Sequence, residues 1–258
     1  MRKLKNIFSA IAVIITSSIA GNANAGQTNV AVAANFTEAA KEIATAFRAK
    51  TGHDAILSFG STGQLYTQIK QHAPFQIFLA ADEDRPKQLV DEGLGVASSR
   101  FTYATGRLVL WSKNPDLVRG ADTLRGNGFS RLAIANPIAA PYGAAAVEAL
   151  RALGVYDRLQ PKIVRGANVV QTFQFIDTGN AELGFVALSQ LIGNNSGSRW
   201  QIPQNIYTPV RQDAVLITTG VDNEAATAFM DFLKGPGARG ILEKYGYAAG
   251  ASDGGHDE

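Results

Sequence analysis

The strongest constraint on the fold is a pattern that occurs twice. From residue 29 onward, β-like runs alternate with segments of helical spacing. Residues 29–33 (NVAVA) read as a strand, and Phe36, Ala39, Ala40, Ile43, Ala44 and Phe47 share one face of a helix over 36–50. Asn35 stands where its N-cap would be and Gly52 where it would end. A second strand follows at 55–59, a helix opens near Ser61 with Leu65, Tyr66 and Ile69 on one face, and 75–81 reads as a third strand. Sliding the chain by 107 residues, without a gap, lays Asn35 on Tyr142 and Thr62 on Val169. It also lays Ala39 on Ala146, Ile43 on Leu150, Ile56 on Ile163, Gln64 on Gln171, Tyr66 on Phe173 and Ile69 on Ile176. Matches at apolar positions also arise between unrelated α/β units of similar size, so the repeat is an expectation for the structure to test.

Strands alternating with helices predict an α/β fold with mainly parallel sheets covered on both faces. Two long β-like runs, 101–111 (FTYATGRLVLW) and 206–218 (IYTPVRQDAVLIT), are placed to cross between the repeated units and back. Closing helices are expected at 225–233 and 238–245, around the breaker Gly235-Pro236-Gly237, before a polar Gly-rich tail at 250–258. The layout is two lobes, the first discontinuous (26–104 with 212–258) and the second continuous (105–211). Hinges are expected near 102–107 and 205–212. A ligand belongs in the cleft, where strand C-termini and helix N-termini of both lobes meet.

Composition restricts what that ligand is. The chain is 46% hydrophobic and 18% charged, which suits a folded protein and not a disordered one. Its 24 basic and 22 acidic residues are too evenly balanced for a protein that binds nucleic acid by neutralising phosphates. The absence of Cys removes disulfides, thiolate metal sites and Cys nucleophiles.

Four helix starts should face the cleft, near Asn35, Ser61-Thr62, Tyr142-Gly143 and Val169. Each presents backbone N–H groups without intrahelical partners and a partial positive charge. Together they would bind an anion without formal charge. Asn35 adds an amide, Ser61 and Thr62 add hydroxyls, Tyr142 adds a phenol, and Val169 can act only through its N–H. A cage of donors alone suits a fully deprotonated tetrahedral oxyanion. A protonated phosphate finds no acceptor there, at a cost of about 1–3 kcal/mol. Each residue also has an ordinary reading: Asn35 as an N-cap, Ser61-Thr62 as a capping turn, Tyr142 as a packing aromatic and Val169 as core.

The competing function is an exported hydrolase built on Asp82-Glu83-Asp84 or on His53, His72 and His256. The acidic triplet reads more simply as a solvated loop before a helix starting near Pro86, and no Gly-x-Ser-x-Gly, paired-His or phosphate-loop motif is present. A third reading keeps the same ligand but gives it to a signalling or chemotaxis receptor.

At these residues the chain resembles the periplasmic molybdate-binding proteins of bacterial ABC transporters. The matching stretches are AANFTEAAKEIATAF (33–47), SFGSTGQLYTQI (58–69), FLAADEDRP (78–86), ANPIAAPYG (135–143), GANVVQTFQF (166–175), AELGFVALSQ (181–190) and KGPGARGILEKYGY (234–247). The likeness runs from Asn29 to about Tyr247. It implies a type II periplasmic-binding fold that closes on molybdate or tungstate and passes the anion to an inner-membrane permease. It implies no cofactor and no catalysis. Position by position, Asn35, Thr62, Tyr142 and Val169 match the family's anion contacts, with Ser61 beside Thr62. One departure is clear. Many members carry a Tyr after the LGxV pattern, where this chain has Ala187, and carry Ala where this chain has Tyr142. The phenol is expected from Tyr142 instead.

The first 25 residues read as an address. Arg2, Lys3 and Lys5 precede an apolar stretch from Ile7 to Ala20, and Ala23-Asn24-Ala25 gives the small-x-small cleavage pattern. Removing them leaves 21 basic and 22 acidic residues. The expected product is a monomer free in the periplasm, because Gly26 offers no Cys for a lipid anchor. Intact-mass measurement of the exported protein should give a chain starting at Gly26; a product that keeps the apolar stretch would refute the cleavage.

Overall fold

The computed structural model describes residues 25–249. The expected signal segment, apart from Ala25, and the tail at 250–258 lie outside the described residues. The first unit runs β1 (Gln27–Ala33), a 3-10 turn (Ala34–Phe36), α1 (Thr37–Thr51), β2 (Asp54–Gly60), α2 (Thr62–Lys70), β3 (Ile77–Leu79) and α3 (Asp84–Asp91). Two consecutive strands, β4 (Phe101–Gly106) and β5 (Leu108–Ser112), lead to the second unit. It comprises α4 (Ala121–Arg125), β6 (Leu132–Ala135), α5 (Pro141–Ala152), α6 (Tyr156–Leu159), β7 (Ile163–Gly166), α7 (Val169–Asp177), β8 (Leu183–Ala187) and β9 (Ser198–Gln201). The chain returns through β10 (Val210–Leu216) and ends in α8 (Glu224–Lys234), α9 (Pro236–Lys244) and β11 (Ala248–Ala249).

Among the described residues the strands form two sheets, ordered β11-β4-β10-β3-β1-β2 and β7-β6-β8-β5-β9. The expected parallel pairing holds within the repeated units: β1 is parallel to β2 and β3, and β6 is parallel to β7 and β8. The crossover strands differ. β10 and β4 pair antiparallel in the first sheet, as β5 does with both its neighbours in the second, so each sheet is mixed. A strand arriving from the other half without a helical crossover enters in the opposite direction. Strand pairing also moves the changeover points. The expected boundaries at 104/105 and 211/212 fall inside β4 and β10, and the sheets exchange the chain at Arg107 and across 202–209.

The 107-residue offset is visible in the backbone. α2 spans Thr62–Lys70 and α7 spans Val169–Asp177, equal in length and displaced by that offset at both ends. The 3-10 turn at Ala34–Phe36 corresponds to the start of α5 at Pro141. Asn35 lies within that turn and makes no cap bond, so the N-cap expected of it is not formed. The segment 235–237 is likewise no simple break, because Pro236 opens α9 at a first-turn position that needs no N–H donor.

Period-2 alternation buries both faces of each sheet. Val30 and Val32 of β1 face a cluster with Phe36, Phe47 and Phe229, while Ala31 faces Leu65, Phe78 and Leu89. In β5, Leu108 and Leu110 join Leu132, Leu150 and Phe185, and Val109 and Trp111 join Ile176 and Val186. The Trp111 ring stacks on Phe173 with centroids 4.8 Å apart.

The start of α5 rests against the end of β6. A Cβ built on Gly143 would lie 2.2 Å from the carbonyl oxygen of Ala135, a backbone atom with no freedom to retreat. Gly143→Ala should therefore cost about 1–3 kcal/mol of stability, as overpacking does. Urea unfolding of the two proteins measures the difference, and equal midpoints would contradict this packing.

Candidate functional site

Four elements follow the C-terminal ends of two pairs of parallel strands: the 3-10 turn after β1, α2 after β2, α5 after β6 and α7 after β7. They meet at one small cavity, lined by residues 33–35, 61–62, 81, 140–142 and 168–169. Asn35, Thr62, Tyr142 and Val169, all expected from the sequence, are brought together there. Each is at most 4% exposed, so what they bind must shed its water. None of the lining residues is ionisable apart from the Tyr142 phenol. A larger open groove between Phe59, Arg85 and Ile138 has no such convergence of helix starts.

Each anchor keeps a donor for the cavity in its own way. At α7, the Asn168 side chain accepts from the N–H groups of Val170 and Gln171, both at 3.0 Å, which leaves the Val169 N–H uncapped. Gln190 Nε2 donates to the Val169 carbonyl at 3.1 Å and fixes that peptide from behind. At α2, Thr62 Oγ1 accepts from the Ala81 N–H at 3.1 Å. That bond uses a lone pair and keeps the hydroxyl proton available. Ser61 differs: its hydroxyl donates to Gln64 Oε1 at 2.8 Å, so its proton is engaged within the helix turn.

Asn35 departs from expectation. Its side-chain amide donates to Gln212 Oε1 at 2.9 Å and to the Tyr247 phenol at 3.1 Å. Both amide hydrogens are used behind the cavity, and the donor left for a ligand is the main-chain N–H in the first turn. Tyr142 behaves similarly in part. Its phenol oxygen is buried without a hydrogen-bond partner, and so is Gln212 Nε2. Burial, reinforced by the phenols of Tyr247, Tyr207 and Tyr103, pushes the Tyr142 pKa well above the ordinary phenol value and keeps its proton in place.

Behind the cavity lies a polar network that sequence reasoning missed. Gln212 and Tyr103 stand at a β-bulge: Gln212 pairs with Ala104 and Asp213 with Thr102, leaving Tyr103 as the extra residue. Tyr103 OH reaches the Ala80 carbonyl at 3.0 Å and Gln212 Oε1 at 3.1 Å. Ser189 Oγ and Tyr247 OH donate to the Asn35 carbonyl at 2.9 and 2.8 Å. A sequence signal did exist. Gln212-Asp213 are adjacent polar residues opening the run Gln212–Leu216, which is buried throughout, so each needs partners. Asp213 finds Arg100 at 2.5 Å and Thr102 at 2.7 Å.

The two halves also touch across the cleft. The Gly63 N–H donates to the Ala139 carbonyl at 2.9 Å, and Arg85 Nη2 donates to the Ile138 carbonyl at 2.8 Å. A Cβ on Gly63 would sit 3.1 Å from Ala139 Cα, so this approach depends on glycine.

The acidic triplet does not form a solvated loop throughout. Asp82 is partly buried, accepts from the Arg85 N–H at 3.0 Å and pairs with the Arg85 guanidinium. Burial raises its carboxyl pKa, and Arg85 opposes that rise. α3 accordingly begins at Asp84, two residues before Pro86. His53 Nδ1 accepts from the Gly26 N–H at 2.9 Å. Among the described residues no group of three or more His, Asp or Glu is arranged to hold a metal ion.

The pattern of the family described as bacterial extracellular solute-binding protein matches residues 28–248. The chain is 51% identical over 238 residues to the molybdate-binding protein ModA of Rhodobacter capsulatus, covering 92% of this chain and 94% of that one. It is 53% identical over 230 residues to the ModA of Azotobacter vinelandii, covering 87% and 91%. The solved structure of the Azotobacter vinelandii periplasmic molybdate-binding protein superposes with a TM-score of 0.83 at 41% identity, covering 86% of this chain and 98% of that one. The chain belongs to the bacterial extracellular solute-binding proteins and, within them, to the ModA family of molybdate-binding proteins.

Proposed function

We propose that this protein captures molybdate, and tungstate by the same chemistry, in the periplasm and delivers it to an inner-membrane ABC permease. The observation that carries the reading is the meeting of four helix starts, two from each half, at a buried cavity with no charged side chain. The family is one of binding proteins and not of enzymes, which removes the exported hydrolase. Among the described residues no helix is long and apolar enough to cross a membrane.

The main-chain N–H groups of Asn35, Thr62, Tyr142 and Val169 hold the anion, helped by the Thr62 hydroxyl and the Tyr142 phenol. Two lobes, changing over at Arg107 and within 202–209, swing about those segments. The anion draws them together because only the closed arrangement supplies donors from both sides. Ligand shifts such an equilibrium only by its extra contacts in the favoured state. Gly63–Ala139 and Arg85–Ile138 complete the closure at the rim. A free tetrahedral dianion satisfies a cage of donors; a protonated phosphate leaves its own hydrogen unmatched.

Calorimetry on the mature protein tests the reading. Molybdate and tungstate should bind with dissociation constants of about 1 μM or tighter, and sulfate and phosphate at least roughly 100-fold more weakly. Sulfate bound as tightly as molybdate, or no molybdate binding at all, would overturn it. Thr62→Ala should lose about 1–3 kcal/mol of binding free energy while Thr62→Ser keeps most of it. Equal affinity in the alanine variant would remove the hydroxyl from the site.

A further inference from the structure

Donors and acceptors behind the cavity do not balance, and the imbalance points to one residue. Gln212 is fully buried on β10. Its Oε1 accepts from Asn35 Nδ2 at 2.9 Å and lies 3.1 Å from Tyr103 OH. The other end, Nε2, lies near the Tyr142 phenol: a Cβ built on Gly106 would lie 2.7 Å from Gln212 Nε2 and 2.0 Å from Tyr142 OH. Both polar atoms therefore crowd one point beside the hinge, where glycine alone leaves room. Neither forms a hydrogen bond to any protein group.

The acceptors nearby are spoken for. Gln212 Oε1 takes the Asn35 amide and shares the single Tyr103 proton with the Ala80 carbonyl, and the Asn35 carbonyl takes Ser189 Oγ and Tyr247 OH. The phenol of Tyr142 can accept from Nε2, but its own proton has no acceptor within the protein. A buried hydroxyl proton without an acceptor is costly, and the oxygen of an anion in the adjoining cavity relieves that cost.

We propose that Gln212 is a positioning residue for oxyanion capture: donating from Nε2 to the Tyr142 phenol oxygen, it occupies that oxygen's acceptor side and directs the phenol proton to the anion. This rests on the cavity being the oxyanion site. The same amide holds Asn35 through Oε1, so one neutral side chain on a returning crossover strand steadies an anchor from each half. A ligand without an oxygen acceptor at that point leaves the phenol unmatched, which makes Gln212 a contributor to selectivity without touching the solute.

The test is a double-mutant cycle read by calorimetry with molybdate, using the mature protein. Tyr142→Phe should weaken binding roughly 10- to 100-fold with Gln212 present, the loss expected for a hydrogen bond to a charged group. On a Gln212→Met background the same Tyr142→Phe change should cost less than about threefold, because the phenol is no longer directed. If the methionine variant does not fold, Gln212→Glu serves for the same comparison. Its remaining oxygen still accepts from Asn35 and Tyr103 while the donor toward Tyr142 is replaced. A merely structural role for Gln212 would lower affinity by one factor whether or not the phenol is present. An equal cost of Tyr142→Phe on both backgrounds, or no cost with Gln212 intact, overturns the positioning role while leaving molybdate capture standing. Failure of the unmodified protein to bind molybdate overturns both.

Discussion

A dianion stripped of water is stable in a protein interior only when its oxygens meet donors, and in the proposed site the backbone carries most of them. Four N-terminal turns, each with unpaired N–H groups and a partial positive charge, converge on one buried point. The rest of the architecture follows from holding those turns in register. Parallel strands end beneath them, covered sheet faces keep the strands rigid, and the crossover strands set the distance between the halves. Neutral donors suit a site that must also release its ligand. A Lys or Arg buried there would be costly each time the anion left. N–H and O–H groups are met by water when the cleft is open.

The same anchors face two ways. Asn35 and Tyr142 line the cavity at helix starts, while the Asn35 amide turns back into a buried polar network with Gln212 and Tyr247. The bulge that leaves Tyr103 unpaired in β4 aims its phenol into that network. Bonds of this kind join residues from both halves, as with Ser189 of the second unit and the Asn35 carbonyl of the first. A shift of either half would break bonds in the network as well as contacts to a ligand. Capture and hinge geometry are thus parts of one arrangement.

The repeat made much of this legible in the sequence. Matching Thr62 to Val169 located two helices that agree in length and offset, and matching Asn35 to Tyr142 located the other pair of starts. What stayed hidden depends on partners distant in the chain. Asn35 meets Gln212 and Tyr247 across separations of 177 and 212 residues, and no local pattern states where its amide points. The reversed direction of β5 and β10 stayed hidden for a related reason: an apolar strand run carries no mark of direction. Asp82 is a third case: an acidic triplet resembles a solvated loop, and only the fold shows Arg85, one turn later, bonded back to it.

The repeat also explains why the residues at equivalent positions need not match. A helix start supplies its N–H whatever side chain it bears, so Val169 can stand opposite Thr62 with no hydroxyl of its own. Side chains are then free to diversify one half at a time. Ala187 and Tyr142 belong to the same buried cluster. A side chain no larger than a methyl at 187 leaves volume in that cluster to the phenol ring arriving from α5. The resemblance to relatives with Tyr after LGxV and Ala at the α5 start then reads as one volume filled from either of two elements. In this chain the phenol comes from the helix start, beside Gln212, which places its hydroxyl under the control of the crossover strand.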